Sequence, residues 1–164
     1  MSLSSHQRVV GKNDEWLTPP EIIKALGPFD LDPCAPTERP WKMARVHYTA
    51  DDDGLTAPWF GRVWLNPPFN RFTLHKWAAR MAEHGQGIML LPARTETAVF
   101  YEHVWPHAHS ICFMRGRPHF HYVDGTRASF NSGAPICLVA YGWQNGEALL
   151  KSKLGVVMVD WRRP

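Results

Sequence analysis

Asn66-Pro67-Pro68-Phe69 closes a short apolar run, Arg62-Val63-Trp64-Leu65, and is the stretch of the chain best suited to chemistry. The run reads as a strand buried on both faces, as in parallel sheets. Two successive prolines end it, because neither can donate to a ladder. They also fix the backbone so that the Asn66 side chain and the Pro67 carbonyl project from the strand end. Two acceptors with the flat apolar face of Phe69 beside them suit a planar ring that carries an NH2 group. Such an amine is a poor nucleophile, since its lone pair is delocalised into the ring. Holding both amine hydrogens draws the nitrogen toward tetrahedral geometry and aims the lone pair at an incoming methyl group. Orientation and preorganised electrostatics then supply most of the rate. The chemistry this suits is methylation of adenine. Read alone, the tetrapeptide equally suits a strand terminator in a tight loop.

Upstream, Phe29-Asp30-Leu31-Asp32-Pro33-Cys34-Ala35-Pro36 is a second short run ending in an acid and a proline. Ligands of open α/β sheets sit outside the carboxyl ends of the strands. Asp32 and Asn66 are therefore expected as neighbours across one crevice. On these pieces the chain resembles the bacteriophage-type DNA N6-adenine methyltransferase family. The matching segments are Glu15-Trp16-Leu17-Thr18-Pro19, Leu31-Asp32-Pro33-Cys34-Ala35, Asp53-Gly54-Leu55 followed by Trp59, and Trp64-Leu65-Asn66-Pro67-Pro68-Phe69. They occur in the family's order, and with the strand pattern beyond them the resemblance covers most of residues 14–142. It implies a Rossmann-like methyltransferase fold, S-adenosylmethionine as methyl donor and DNA as substrate. It further implies a cofactor site lined by Asp32, Pro33, Cys34 and Ala35, with Trp16, Thr18, Pro19 and Asp53 contributing. Asn66, Pro67, Pro68 and Phe69 become the catalytic residues that hold the target base. The setting implied is a phage or prophage enzyme of the DNA-methylation or restriction-modification kind. One departure stands out: the glycine-rich turn usual after the first methyltransferase strand is replaced by Asp32-Pro33-Cys34-Ala35-Pro36. No G-x-G-x-x-G occurs for a dinucleotide.

The elements that must position these residues are legible in outline. Thr18-Pro19-Pro20-Glu21 has capping-box spacing, with a proline at the first helical position. The helix then runs through Ile22, Ile23 and Leu26 and stops at Gly27-Pro28. Its N-terminal end could face the methionine carboxylate of the cofactor, although Pro19 and Pro20 remove two N–H donors; packing on the sheet edge is an equal reading. Among Asp51, Asp52 and Asp53, followed by Gly54, Asp53 is favoured for the cofactor, against a solvated turn. Residues 72–84 read as an amphipathic helix and 87–92 as the next buried strand. Thr95 is expected to cap a helix to about Val104, broken by Pro106. Residues 110–114 and 135–141 read as an antiparallel pair of strands, and residues 147–153 and 155–161 as a helix and an edge strand. Together these give an α/β, doubly wound, mostly parallel sheet with an antiparallel edge. Its first half is abbreviated, because so few residues separate Asp32 from Asn66. Residues 1–13 are expected as a flexible arm and 14–164 as a single methyltransferase domain.

At 164 residues and 18.7 kDa, with 45% apolar residues, the chain can bury ~70% of its unfolded surface as one domain. No stretch has the apolar length of a membrane span, the polar start is not a signal peptide, and three widely spaced cysteines argue against a disulfide framework. These features fit the cytoplasm. A net charge of +3 favours a polyanion only mildly. The loop from Arg115 to Gly133 interleaves Arg115, Arg117, His119, His121 and Arg127 with Phe120, Tyr122 and Phe130, which suits phosphate contact and base stacking. A hairpin whose aromatics cover the core is the alternative. Arg71 and Arg94 are further candidates for DNA. His107-x-His109 and His119-x-His121 could form imidazole pairs, but zinc needs three or four ligands, so no metal is expected. Cys34 reads as a packing residue, not as the nucleophile of a cytosine methyltransferase. The rival functions are methylation of RNA adenine or of a protein glutamine amide, and a catalytically silent DNA-binding or anti-restriction module.

Overall fold

The computed structural model describes residues 15–161, so the expected arm at 1–13 lies outside the described residues. The strands are β1 Leu31–Asp32, β2 Val46–His47, β3 Val63–Leu65, β4 Gly87–Pro92, β5 Ser110–Met114, β6 Ile136–Tyr141 and β7 Gly155–Val159. They form one seven-stranded sheet in the order β2-β1-β3-β4-β6-β5-β7. The helices are α1 Pro20–Leu26, α2 Leu74–His84 and α3 Trp143–Ser152, joined by a 3-10 turn at Ala50–Asp52 and a π-helix at Phe100–Val104.

Strict alternation of side chains builds a core on each face of the sheet. Trp64, Ile88, Leu90, Leu138 and Ala140 share one core with Ile22 and Leu26 of α1 and Leu149 of α3. Val63, Leu65, Met89, Leu91, Val139 and Tyr141 share the other with Trp77, Ala78 and Met81 of α2 and with Phe100 and Val104. Every residue of β3, β4 and β6 is buried, which is why these strands read as unbroken apolar runs.

Local chemistry sets the element ends. The Asn70 carboxamide oxygen accepts from the Phe72 and Thr73 N–H groups and from the Thr73 hydroxyl, turning the chain into α2 immediately after the Asn-Pro-Pro-Phe stretch. Leu74, Trp77, Ala78 and Met81 follow at helical spacing, and Gly85 ends the helix at φ 70° with its N–H on the Met81 carbonyl. The abbreviated first half is present as expected. No α-helix lies between β1 and β3, only β2 and the 3-10 turn.

Three expectations need correction. The antiparallel character is not confined to an edge: β2, β1, β3 and β4 pair in parallel, whereas β4-β6, β6-β5 and β5-β7 are all antiparallel. The cause is that β6 returns between β4 and β5 instead of outside them. The capping box at Thr18 does not form, and α1 starts at Pro20 with Pro19 as its cap position. Both Thr18 and Pro19 precede a proline, which pushes them into extended backbone outside the helix. Thr95 caps nothing; the Thr97 hydroxyl donates to the Arg94 carbonyl at 2.8 Å, and the helical segment that follows is the five-residue π-helix.

One buried amide ties the amino-terminal side of the sheet together. Asn145 in α3 donates to the Tyr141 carbonyl at 2.7 Å and accepts from Arg62 Nε at 2.5 Å. Arg62 in turn donates to the Pro28 carbonyl at 2.9 Å and lies 4.5 Å over the Phe29 ring. Asn145→Ala strips two partners at once and should lower the free energy of unfolding by about 2–3 kcal/mol. Urea denaturation checks this, and a loss below a few tenths would show that water replaces the amide without penalty.

Candidate active site

β1 and β3 pair in parallel with Leu31 opposite Val63, so both strands deliver their carboxyl ends to the same edge of the sheet. Asp32 ends β1 and Asn66 follows β3 directly. β4 runs alongside with Leu65 opposite Met89, and brings Ala93 and Arg94 out at that edge. The start of β6 and the end of β5 flank the same edge, because Pro92 lies opposite Ile136. Residues 115–133, which join β5 to β6, are therefore carried to it. Topology alone gathers most of the sequence-derived candidates in one place.

Asp32 is 2% exposed, and its carboxylate accepts the Cys34 N–H at 3.1 Å. Desolvation by burial pushes its pKa from 3.8 up to about 7, against the smaller opposing pull of that N–H and of Arg39. The Asp32–Ala35 loop is held from outside by β2, whose register continues through Tyr48: its N–H donates to the Asp32 carbonyl at 2.8 Å and its carbonyl accepts the Ala35 N–H at 2.9 Å. Gly54 braces the loop from another side, since a Cβ there would stand 1.8 Å from the Pro33 carbonyl oxygen. Asp52 accepts the Thr49 N–H at 2.8 Å and Asp53 accepts the Thr56 hydroxyl at 2.9 Å, so both acids shape the turn. Burial, with Asp32 nearby, pushes the Cys34 thiol up to about 12. A thiol that stays protonated is the opposite of an activated nucleophile.

Asn66 is oriented by its own hydrogen bond. Its Nδ2 donates to the Trp16 carbonyl at 3.2 Å, which fixes the flip of the amide and leaves Oδ1 as the acceptor. Among the described residues nothing donates to that oxygen. Trp16 is held in turn by Leu17, which exchanges two backbone hydrogen bonds with His121, at 2.9 and 3.0 Å. The Trp16 and Tyr122 rings lie 5.1 Å apart, and Trp41 meets His121 edge-on at 5.2 Å while donating to the Thr18 carbonyl at 3.1 Å. Thr18 is 1% exposed and its hydroxyl is buried without a partner. Phe69 is 39% exposed and rests edge-on against Phe120 at 6.4 Å. Beyond Phe69 opens a cavity of about 470 Å³, walled by Leu74, Leu91, Val99 and Phe100, with Arg71, Arg94 and Thr97 also lining it.

The family model of DNA N-6-adenine-methyltransferase (Dam) matches residues 5–155, nearly the whole chain and all of the segments just described. The chain belongs to this family. Neither the curated proteins nor the solved structures give a match.

For a Dam-family chain the loop of residues 115–133 has an instructive division of labour. Phe120, expected to stack on DNA, is 7% exposed and part of the core, so it is unavailable to a base and instead backs Phe69. Tyr122 is half-buried against Trp16, and the His119 ring nitrogen Nδ1 contacts the Ala128 carbonyl at 3.0 Å. Arg115, Arg117 and Arg127 are exposed, as is Arg71. Arg117 donates to the Gly133 carbonyl at 3.1 Å. The loop is thus a hairpin in which Phe120 and Tyr122 pack against Phe69 and Trp16, while the arginines and Phe130 are exposed. The residues that sequence reasoning missed are those acting through the backbone: the Trp16 carbonyl, Tyr48 and Gly54. Trp16 was expected to contribute to the cofactor site rather than to orient Asn66, Gly54 stood out only within the Asp53-Gly54-Leu55 match, and Tyr48 left no trace.

Two outcomes follow for the Asp32 loop. Gly54→Ala must displace the Pro33 carbonyl, and should lower the free energy of unfolding by about 1–3 kcal/mol in urea denaturation; unchanged stability would show that the loop yields freely. The pH dependence of stability has a definite sign. Because the folded pKa of Asp32 lies above 3.8, the folded chain binds more protons than the unfolded chain between roughly pH 4 and 7. This contribution therefore falls as pH rises through that window. Asp32→Asn should raise the Tm of the ligand-free protein at pH 8 and change it little at pH 4; an equal shift at both would assign the effect to packing.

Proposed function

We propose that this chain transfers a methyl group from S-adenosylmethionine to the exocyclic N6 amine of adenine in DNA, on a Rossmann-like sheet whose strand ends serve both ligands. Membership of the Dam family supports the substrate and the reaction class. The observation that carries the reading is the fixed flip of Asn66, with its nitrogen committed to the Trp16 carbonyl and its oxygen left to accept. The Asn66 oxygen and the Pro67 carbonyl hold the two amine hydrogens and localise the nitrogen lone pair. Pro67 is buried and Pro68 half-buried, so these acceptors need no reorganisation when charge develops. Phe69 offers a face to the base, steadied from behind by Phe120.

The cofactor assignment rests on the donors present. S-adenosylmethionine, when bound, supplies an electrophilic methyl group on a sulfonium sulfur. Asp32, a buried carboxyl with a single N–H donor, is poised to pair with the ammonium group of that molecule, and the cation would draw the carboxyl back toward its ionised form. The orphaned Thr18 hydroxyl marks a second polar contact, between Trp16 and Pro19. Pro33, Cys34 and Ala35 form the apolar lining, and Asp53 flanks it at the Gly54 contact. Arg71, Arg115, Arg117 and Arg127 are suited to phosphates. Among the described residues no helix is long and apolar enough to cross a membrane. Action on DNA fits a cytoplasmic setting, and Cys34, Cys112 and Cys137 are free thiols.

Asn66→Ala separates chemistry from cofactor binding. Methyl transfer to adenine-containing DNA should fall by about two orders of magnitude or more, the scale for losing one preorganised hydrogen-bonding group at a reacting centre. Affinity for the demethylated product should stay within a few-fold. Near wild-type transfer by the variant would overturn the assignment.

A further inference from the structure

Away from the strand ends, a compact group of side chains remains unused by the proposed reaction. His75, in the first turn of α2, faces Glu102 and His103 of the π-helix. The two imidazole Nε2 atoms are 3.1 Å apart, and the Glu102 carboxylate oxygen is 3.3 Å from one and 3.9 Å from the other. Ligands around a tetrahedral zinc ion, at 2.0–2.2 Å from it, lie about 3.3 Å from one another. The two rings meet at 67° with their centroids 4.4 Å apart. The backbone under the group is firm: the buried Tyr141 hydroxyl donates to the His103 carbonyl at 2.8 Å. The His103 side chain is only 15% exposed.

We propose that His75, Glu102 and His103 bind one divalent transition-metal ion, zinc by ligand preference, which staples α2 to the π-helix. Two imidazoles and one carboxylate are a donor set that borderline metals prefer over magnesium or calcium. Two imidazole Nε2 atoms and a carboxylate oxygen gathered this closely are an arrangement that a shared cation satisfies. Residue spacing does not reveal it, because the donors come from elements 28 residues apart, while the obvious pairs, His107-x-His109 and His119-x-His121, are not in it. Since His75 also lines the cavity beyond Phe69, the ion would fix that cavity's wall.

The test is titration of chelator-treated full-length protein with zinc chloride, followed by calorimetry and by thermal unfolding with and without excess zinc. One ion per chain should bind with a Kd at or below the micromolar range and raise the Tm. Cobalt(II) in its place should give the intense visible absorption of a tetrahedral site. Glu102→Gln, a change at an exposed residue that leaves the fold intact, and His75→Ala should each weaken zinc binding at least tenfold and abolish the Tm rise. Absence of saturable binding would show that the group is only a histidine–histidine hydrogen bond with a nearby acid. Equal binding by wild type and both variants would place the ion on other histidines; either result overturns the proposal.

Discussion

The parallel register that sets Leu31 against Val63 is the constraint on which the site depends. It brings an acid-terminated strand and an amide-terminated strand to the same edge of the sheet, one carrying Asp32 and the next Asn66. A one-residue slip would turn Leu31 and Val63 from the α2 core toward the α1 core and expel both polar ends from the crevice. Full burial of β3 and β4 makes such a slip costly, so apolar packing on the two faces specifies the position of polar atoms at the edge.

What the strands leave open, a second layer of backbone contacts closes. The Trp16–Thr18 segment lies across the strand ends and is pinned by two hydrogen bonds to His121. Through it the loop of residues 115–133 governs Asn66 without touching it: His121 fixes Leu17, Leu17 carries Trp16, and the Trp16 carbonyl orients the amide. Phe120 does the same for Phe69 by ring contact. A loop whose composition reads as nucleic-acid binding is therefore also a structural brace, and the two roles divide by side-chain type. Phe120 and Tyr122 turn inward, where they displace water, whereas the arginines and Phe130 stay exposed.

The sequence made the site legible wherever one residue type carried the signal. Asn66-Pro67-Pro68-Phe69 stood out as the abrupt end of a buried run, and α2 through Leu74, Trp77, Ala78 and Met81 at helical spacing. The two-residue strand β2 was not legible, since Val46 is exposed and no periodicity fits in two positions. Nor was the insertion of β6 between β4 and β5: an apolar run such as Ile136–Tyr141 reads identically in a parallel and an antiparallel neighbourhood. Thr18 misled because capping-box spacing ignores the effect of a following proline on backbone conformation. Phe120 misled because an aromatic beside arginines looks the same whether it faces DNA or the core.

The same error at Thr18 has a physical consequence that favours a ligand. A hydroxyl that capped α1 would be satisfied within the fold; because Pro19 and Pro20 hold Thr18 outside the helix, its hydroxyl is buried with no partner. Asp32, too, is buried, with its carboxyl pushed up to about 7. Each is a cost that an apolar residue of similar size would avoid, and a few such groups in a native fold call for an explanation. The proposed cofactor would supply one for both: a cationic, hydroxyl-rich molecule would ionise the acid and satisfy the alcohol. On this view the free chain is destabilised where it is poised to bind, and the rigid sheet beneath, with no polar group in β3 or β4 side chains apart from the Trp64 indole, supplies the stability that tolerates it.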